Sequence, residues 1–196
     1  MNSVLKDTVP SVGESYTLLK KYHVPDHIIQ HSEMVCKVAV FLAKELNNQG
    51  EHLSIAEIEA AALLHDITKM EGLKTRQDHP KTGKELLHKL GFKRIGEIVS
   101  EHVKLHEGRN YSVRYLKRNL LITQSKRVMH ARVVTLSERF SDLQQRYGFK
   151  NLDTKTINRI RILESETYEL ENKIFSKLNF HPREVIKLYI VIKKRA

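Results

Sequence analysis

A histidine and an aspartate stand side by side in the stretch Ala61-Ala62-Leu63-Leu64-His65-Asp66-Ile67-Thr68-Lys69. A carboxylate set among apolar residues must shift its pKa or find a cation, because desolvating the charge costs several kcal/mol. Adjacent residues on a helix point about 100° apart, so His65 and Asp66 are not expected to pair with each other, but both can reach one ion beside the helix. Other imidazoles come from neighbouring segments. His31 shares an apolar face with Val35, Val38 and Leu42, and His102 shares one with Ile95, Ile98 and Val99. His79 falls in the first turn of the segment between them. A lone histidine on such a face is more often a core residue bonded to a carbonyl. Several of them together with a carboxylate suit a divalent metal such as zinc, iron, manganese or magnesium, with identity and number left open.

The elements that must position these residues read as helices throughout. A short helix is expected over residues 14–22 and a strong amphipathic one over about 26–46, separated by the His23-Val24-Pro25 break. Ser54-Ile55-Ala56-Glu57 has the pattern of a capping box and opens the helix that carries His65 and Asp66 to about Met70, with Gly72 as its stop. A third helix starts at Asp78 or His79 and closes at Gly91, and a fourth runs from about Lys93 to Val103. Lys104 to Asn119 reads as irregular. Met129, Val133, Leu136, Phe140, Leu143 and Tyr147 then suggest one long helix from Leu120 to Tyr147. Another begins near Asp153, and a final one spans Arg183 to Ile192. No strand or repeat is evident, so the expected fold is an all-α bundle. Residues 1–13 form a loose lead-in, 14–148 the main domain and 149–196 a helical extension that completes the bundle or serves a dimer.

Composition narrows the class further. The 196-residue chain is 40% hydrophobic and 29% charged, ordinary for a globular protein and too apolar for wholesale disorder. No apolar run approaches the ~20 residues of a membrane span. The N-terminal stretch lacks the basic start and apolar run of a secretory signal. A single cysteine, Cys36, rules out an intrachain disulfide and fits a reducing compartment. The expectation is a cytoplasmic protein without a membrane partner. The formal net charge of +11 suits phosphorylated small molecules or nucleic acid as partners.

The motif order then becomes informative. His31-Ser32-x-x-Val35, Ala61 to Lys69, Asp78-His79-x-x-Thr82-Gly83 and Ile98-Val99-x-x-His102-Val103 together resemble the HD-domain superfamily of metal-dependent phosphohydrolases, in its small stand-alone HDIG type. The resemblance extends through Leu136 to Gly148. It implies an all-α core and two metal sites bridged by one aspartate. His31, His65 and Asp66 would form the first site, and Asp66, His79 and His102 the second. Asp66 and Lys69 would carry the catalysis, with Lys69 one turn on as a phosphate contact. The chain departs from the family where a last ligand is expected in a run ending Ala-Asp-Lys-Arg-Val: here Gln124-Ser125-Lys126-Arg127-Val128 puts Ser125 at the aspartate position. A hydroxyl is a poor replacement for a carboxylate, so weaker metal binding at the first site is expected. On a continuous helix, Glu138 would lie about 20 Å away and could not stand in.

Lys104 to Arg132 holds eight cationic residues against Glu107 alone. Arg109, Arg114, Lys126 and Arg127 with Lys69 are the expected substrate-binding residues, and Tyr111 and Tyr115 could stack a base. His106 is a candidate further ligand or phosphate contact. The function this implies is hydrolysis of a nucleotide or other small phosphorylated compound by metal-activated water. The alternative is a degenerate domain that binds nucleotide or nucleic acid through its basic surface.

Overall fold

In the computed structural model, residues 7–103, 113–148 and 154–187 are described. Eight α-helices run in order: α1 Val12–Lys21, α2 Asp26–Asn48, α3 Ile55–Leu64, α4 Lys69–Thr75, α5 His79–Lys89, α6 Lys93–Val99, α7 Val113–Arg127 and α8 Leu136–Leu143. A π-helical turn, Gln144–Gly148, extends α8, and α9 covers Thr154–Phe175. Two-residue strands, Val128–Met129 and Arg132–Val133, pair antiparallel between α7 and α8. The fold is the expected all-α bundle with this one small hairpin added.

The central element is α3. Its sequence is apolar apart from Glu57 and Glu59, and such a helix must be covered over most of its surface. Accordingly α1, α2, α6 and α7 all pack against it, and every residue from Ala60 to Leu64 is buried. The long helix α2 feeds two cores. Its N-terminal half packs Met34 and Val35 with Leu64, Leu87, Ile95 and Val99. Its C-terminal half packs Val38, Leu42 and Leu46 with Ile58, Leu120, Ile174 and Phe175, which joins α9 to the bundle. Each such side chain contributes about 1.5–3 kcal/mol by leaving water. The described helices include none long and apolar enough to cross a membrane.

Three sequence expectations are corrected. The helix carrying His65 and Asp66 does not run on to Met70: α3 ends at Leu64, residues 65–68 form tight turns, and α4 begins at Lys69. The bonds Ile67 N to Leu64 O (3.1 Å) and Lys69 N to Asp66 O (3.0 Å) show the ladder tightening there. Gly72 is not the stop but lies inside α4, where an added Cβ would meet Gln77 O and His79 Cβ at 3.0 Å. The chain stops α4 with Arg76 in the left-handed region, φ 58°. The long helix expected from Leu120 to Tyr147 is broken by the hairpin, whose turn residue His130 has φ 57°. The bundle also starts that helix earlier, at Val113. Of the expected final helix, residues 184–187 are helical, Arg183 is in the turn before them, and residues 188–192 lie outside the described residues.

Candidate metal centre

The turn after α3 positions the first two donors and brings His65 Nε2 within 3.5 Å of Asp66, closer than the sequence led one to expect. It directs His65 and Asp66 to the same point, where α2 delivers His31, the start of α5 delivers His79, and the residues just after α6 deliver His102. The Asp66 carboxylate is the hub. Its Oδ1 lies 3.2 Å from His79 Nε2 and 3.4 Å from His102 Nε2. Its Oδ2 lies 3.5 Å from His65 Nε2 and 2.6 Å from Lys69 Nζ. The His31 and His65 rings are 5.4 Å apart between centroids. Two groups of three donors result, His31–His65–Asp66 and Asp66–His79–His102.

The protons on these rings can be placed from their partners. A backbone carbonyl only accepts, so Nδ1 donates wherever it meets one. His65 Nδ1 meets Ala62 O at 2.8 Å, His102 Nδ1 meets Val99 O at 2.7 Å, and His31 Nδ1 meets His130 O at 3.2 Å. In the neutral ring each Nε2 is then a bare lone pair. Those of His65 and His102 face the Asp66 carboxylate, and His102 Nε2 also stands 3.0 Å from His79 Nε2. Lone pairs aimed at a carboxylate repel it unless a cation lies between. A proton is disfavoured in that role, because burial lowers His65 to about 4 and His31 to about 3, and lowers His102 as well. Burial alone would raise the Asp66 carboxyl. Positive charge at the positions of the His65, His102 and His79 rings and the Lys69 ammonium outweighs it and holds the group well below the usual carboxylate range.

The donor set fits a divalent ion. Donors about 2.0–2.2 Å from a tetrahedral centre stand about 3.3–3.6 Å apart, against the observed 3.0, 3.2 and 3.4 Å in the Asp66–His79–His102 group. The support behind the donors is also built. Thr68 Oγ1 donates to His79 O at 2.9 Å, and Thr82 Oγ1 donates to Thr68 Oγ1 at 2.9 Å. Gly72 and Gly83 give α5 the room to come this close. Ligand imidazoles anchored through their second nitrogen are the usual arrangement at metal sites.

The expected phosphate rim is placed differently. Arg127 is 2% exposed, with Nε and Nη2 on Glu171 Oε1 at 2.6 and 2.5 Å and its guanidinium over the Phe175 ring. It ties α7 to α9 and is committed there, not offered to a ligand. Lys126 is also buried, and burial followed by the Arg139 charge pushes it down to about 8. The Asp66 carboxylate acts on Lys126 in the opposite direction, so the lysine lies within the electrostatic reach of the centre. Ser125 is buried on the same turn of α7. Glu138 is not on a continuous helix with Ser125: it caps α8, accepting from Thr135 N at 2.7 Å. Arg109, His106 and Tyr111, and the side chains of Arg114 and Tyr115, lie outside the described residues.

Sequence reasoning missed three residues. A cleft of about 270 Å³ opens beside the centre, and His31 and Lys69 share its walls with Arg139, Arg146 and His130. His130 also supplies the carbonyl that fixes the His31 ring. The spacing Arg139, Asp142, Arg146 puts all three on one helical face, a signal that was present and was overshadowed by the apolar stripe.

Comparisons with known proteins agree with this arrangement. A tRNA (cytidine(56)-2'-O)-methyltransferase of Thermoplasma volcanium is 33% identical over 98 residues, which is 48% of this chain and 26% of the methyltransferase. The matched stretch thus spans about a quarter of that curated relative. No solved structure matches significantly. The HD domain family model matches residues 28–142, more than half of the chain and all of the donors described above. With its helical bundle, its two histidine–aspartate groups and that match, the chain belongs to the HD domain family, a superfamily of metal-dependent phosphohydrolases.

Proposed function

We propose that this protein is a divalent-metal-dependent phosphohydrolase acting on a nucleotide or another small phosphorylated compound. The observation that carries the reading is the convergence of the His65 and His102 lone pairs on one buried carboxylate, Asp66. His31, His65 and Asp66 would hold one ion, and Asp66, His79 and His102 a second. A divalent ion there supplies an acidified water and polarises a phosphoryl oxygen. The chain's own residues do the rest. Carbonyls of residues 62, 99 and 130 keep three imidazoles in the ligating tautomer. Lys69, 2.6 Å from Asp66 and partly open to the cleft, is placed to neutralise charge that develops on a phosphoryl group.

A second reading has its own support. The net charge of +11 and the similarity to a protein named as a tRNA methyltransferase favour a domain that binds nucleic acid without turnover. One experiment separates the two. Purified full-length chain is loaded with Mn²⁺, Fe²⁺, Zn²⁺ or Mg²⁺ and offered a panel of nucleotides and generic phosphoesters. Metal-dependent release of phosphate supports the enzyme. Absence of turnover, with tRNA binding that weakens steeply as salt rises, supports the binding domain.

A further inference from the structure

Beside the metal donors, the cleft carries a feature that hydrolysis alone does not explain. Arg139 on α8 and Arg146 on the π-helical turn both line it, on walls shared with His31 and Lys69. Between them in sequence, Asp142 accepts from both: Arg139 Nη1 at 3.1 Å and Arg146 Nη2, on the same oxygen, Oδ2. We infer that Arg139 and Arg146, drawn together by Asp142, form a phosphate-binding subsite that receives the phosphoryl group of the substrate opposite Lys69. The inference rests on the phosphohydrolase reading and names the residues that reading lacks.

Three arguments support it. Two guanidiniums share one oxygen of the Asp142 carboxylate, and each carries five N–H donors in a planar fork. Planar guanidinium forks match a phosphate's oxygens bidentately, which a lysine cannot do. The charge balance of the surroundings points the same way. Lys126 is buried within electrostatic reach of Arg139 and Lys69, and burial followed by those two charges disfavours its ammonium form. A bound dianion relieves that crowding. The backbone also fits: the π-helical turn that carries Arg146 widens the helix at the cleft, and such turns recur at functional sites. Asp142 at i+3 from Arg139 and i−4 from Arg146 fixes both side chains on one face, so little rotamer freedom remains to be lost on binding.

The test is direct anion binding, independent of turnover. Full-length protein freed of metal with chelator is titrated with inorganic phosphate by calorimetry, and so are Arg139→Gln, Arg146→Gln and the double variant. Metal uptake is measured alongside. The expected result is phosphate binding by the unmodified chain, weakened several-fold by each single change and at least tenfold by both, with metal uptake unaltered. Arg146→Lys should recover only part of the loss, because it restores charge and not the fork. Arg146 is the more exposed of the pair, so Arg146→Gln keeps the test valid should Arg139→Gln loosen α8. No phosphate binding by the unmodified chain, undiminished binding in the double variant, or loss of metal in parallel with phosphate would each overturn the subsite. Phosphate binding that depends on both arginines in a protein that hydrolyses no phosphoester would uphold the subsite and count against the phosphohydrolase reading.

Discussion

The two donor groups that share Asp66 are not equals. On the Oδ1 side, His79 and His102 lie 3.2 and 3.4 Å from the oxygen and 3.0 Å from each other, a closed triad a little tighter than the spacing of tetrahedral metal ligands. On the Oδ2 side, His65 is 3.5 Å away, and the shortest contact is the Lys69 ammonium at 2.6 Å. Ser125, buried on α7, stands where the family resemblance leads one to expect a further carboxylate ligand for that group. The difference is that Lys69 already occupies Oδ2 as a competitor for any cation, whereas the imidazoles of His79 and His102 face Oδ1. We expect the Asp66–His79–His102 group to be the stronger site.

The comparison can be broken first at its hub. Asp66→Asn keeps shape and removes the shared charge, so both groups should fail, with metal affinity falling more than about 100-fold and hydrolysis falling with it; loss of supporting contacts alone costs 10–100-fold. Metal titration of the variant checks this, and retention of one ion would show that the groups are independent. A smaller and selective effect is expected from the imidazoles. His102→Gln should remove the tighter ion, whereas His31→Gln should leave it and remove only the weaker, which a stoichiometry measurement on both variants resolves. Ser125→Asp should act in the opposite sense, raising the affinity of the weaker site by about tenfold and any basal hydrolysis with it. If neither changes, Ser125 does not face that site.

The smallest effect concerns the segment that carries the cleft arginines. Thr135 and Glu138 form a reciprocal cap on α8, with Thr135 N to Glu138 Oε2 at 2.7 Å and Glu138 N to Thr135 Oγ1 at 3.1 Å. Thr135→Ala should cost about 1 kcal/mol in a denaturant melt. Hydrogen bonds from the Thr135 backbone and hydroxyl lower the Glu138 carboxyl from 4.5. A lowered carboxyl stabilises the fold above its unfolded value, and that contribution is lost as pH falls through the folded one. The difference between the variant and the unmodified chain should therefore narrow below about pH 4.5.

Much of this was legible in the residues, and the gaps have physical causes. The donors announced themselves because His31 and His102 sit on apolar faces, where an imidazole without a purpose is costly. The end of α3 at Leu64 was hidden because the apolar pattern runs straight through Ile67, and periodicity does not register a turn whose residues stay buried. The hairpin was hidden for a related reason: Met129, Val133 and Leu136 keep helical spacing, which outweighs the weak left-handed tendency of a histidine at His130. Ser54 does cap α3, but Glu57 does not reach back as the pattern suggests. Its carboxylate pairs instead with Arg94 at 3.4 Å and with Lys117, partners far away in the sequence. The basic segment misled in one respect. Arg127 counts as a charge in the sequence, but its guanidinium is buried against Glu171, while the arginines that line the cleft come from α8 and its π-helical extension.

The claim beneath all of this is that imidazole nitrogens and the Asp66 carboxylate share a divalent ion. X-ray absorption on the purified chain loaded with zinc or iron tests it most directly. The expected spectrum shows nitrogen and oxygen neighbours at about 2.0–2.2 Å with the outer-ring scattering of at least two imidazoles. A chain that takes up no metal, or a metal surrounded by oxygen neighbours without imidazole, would contradict it.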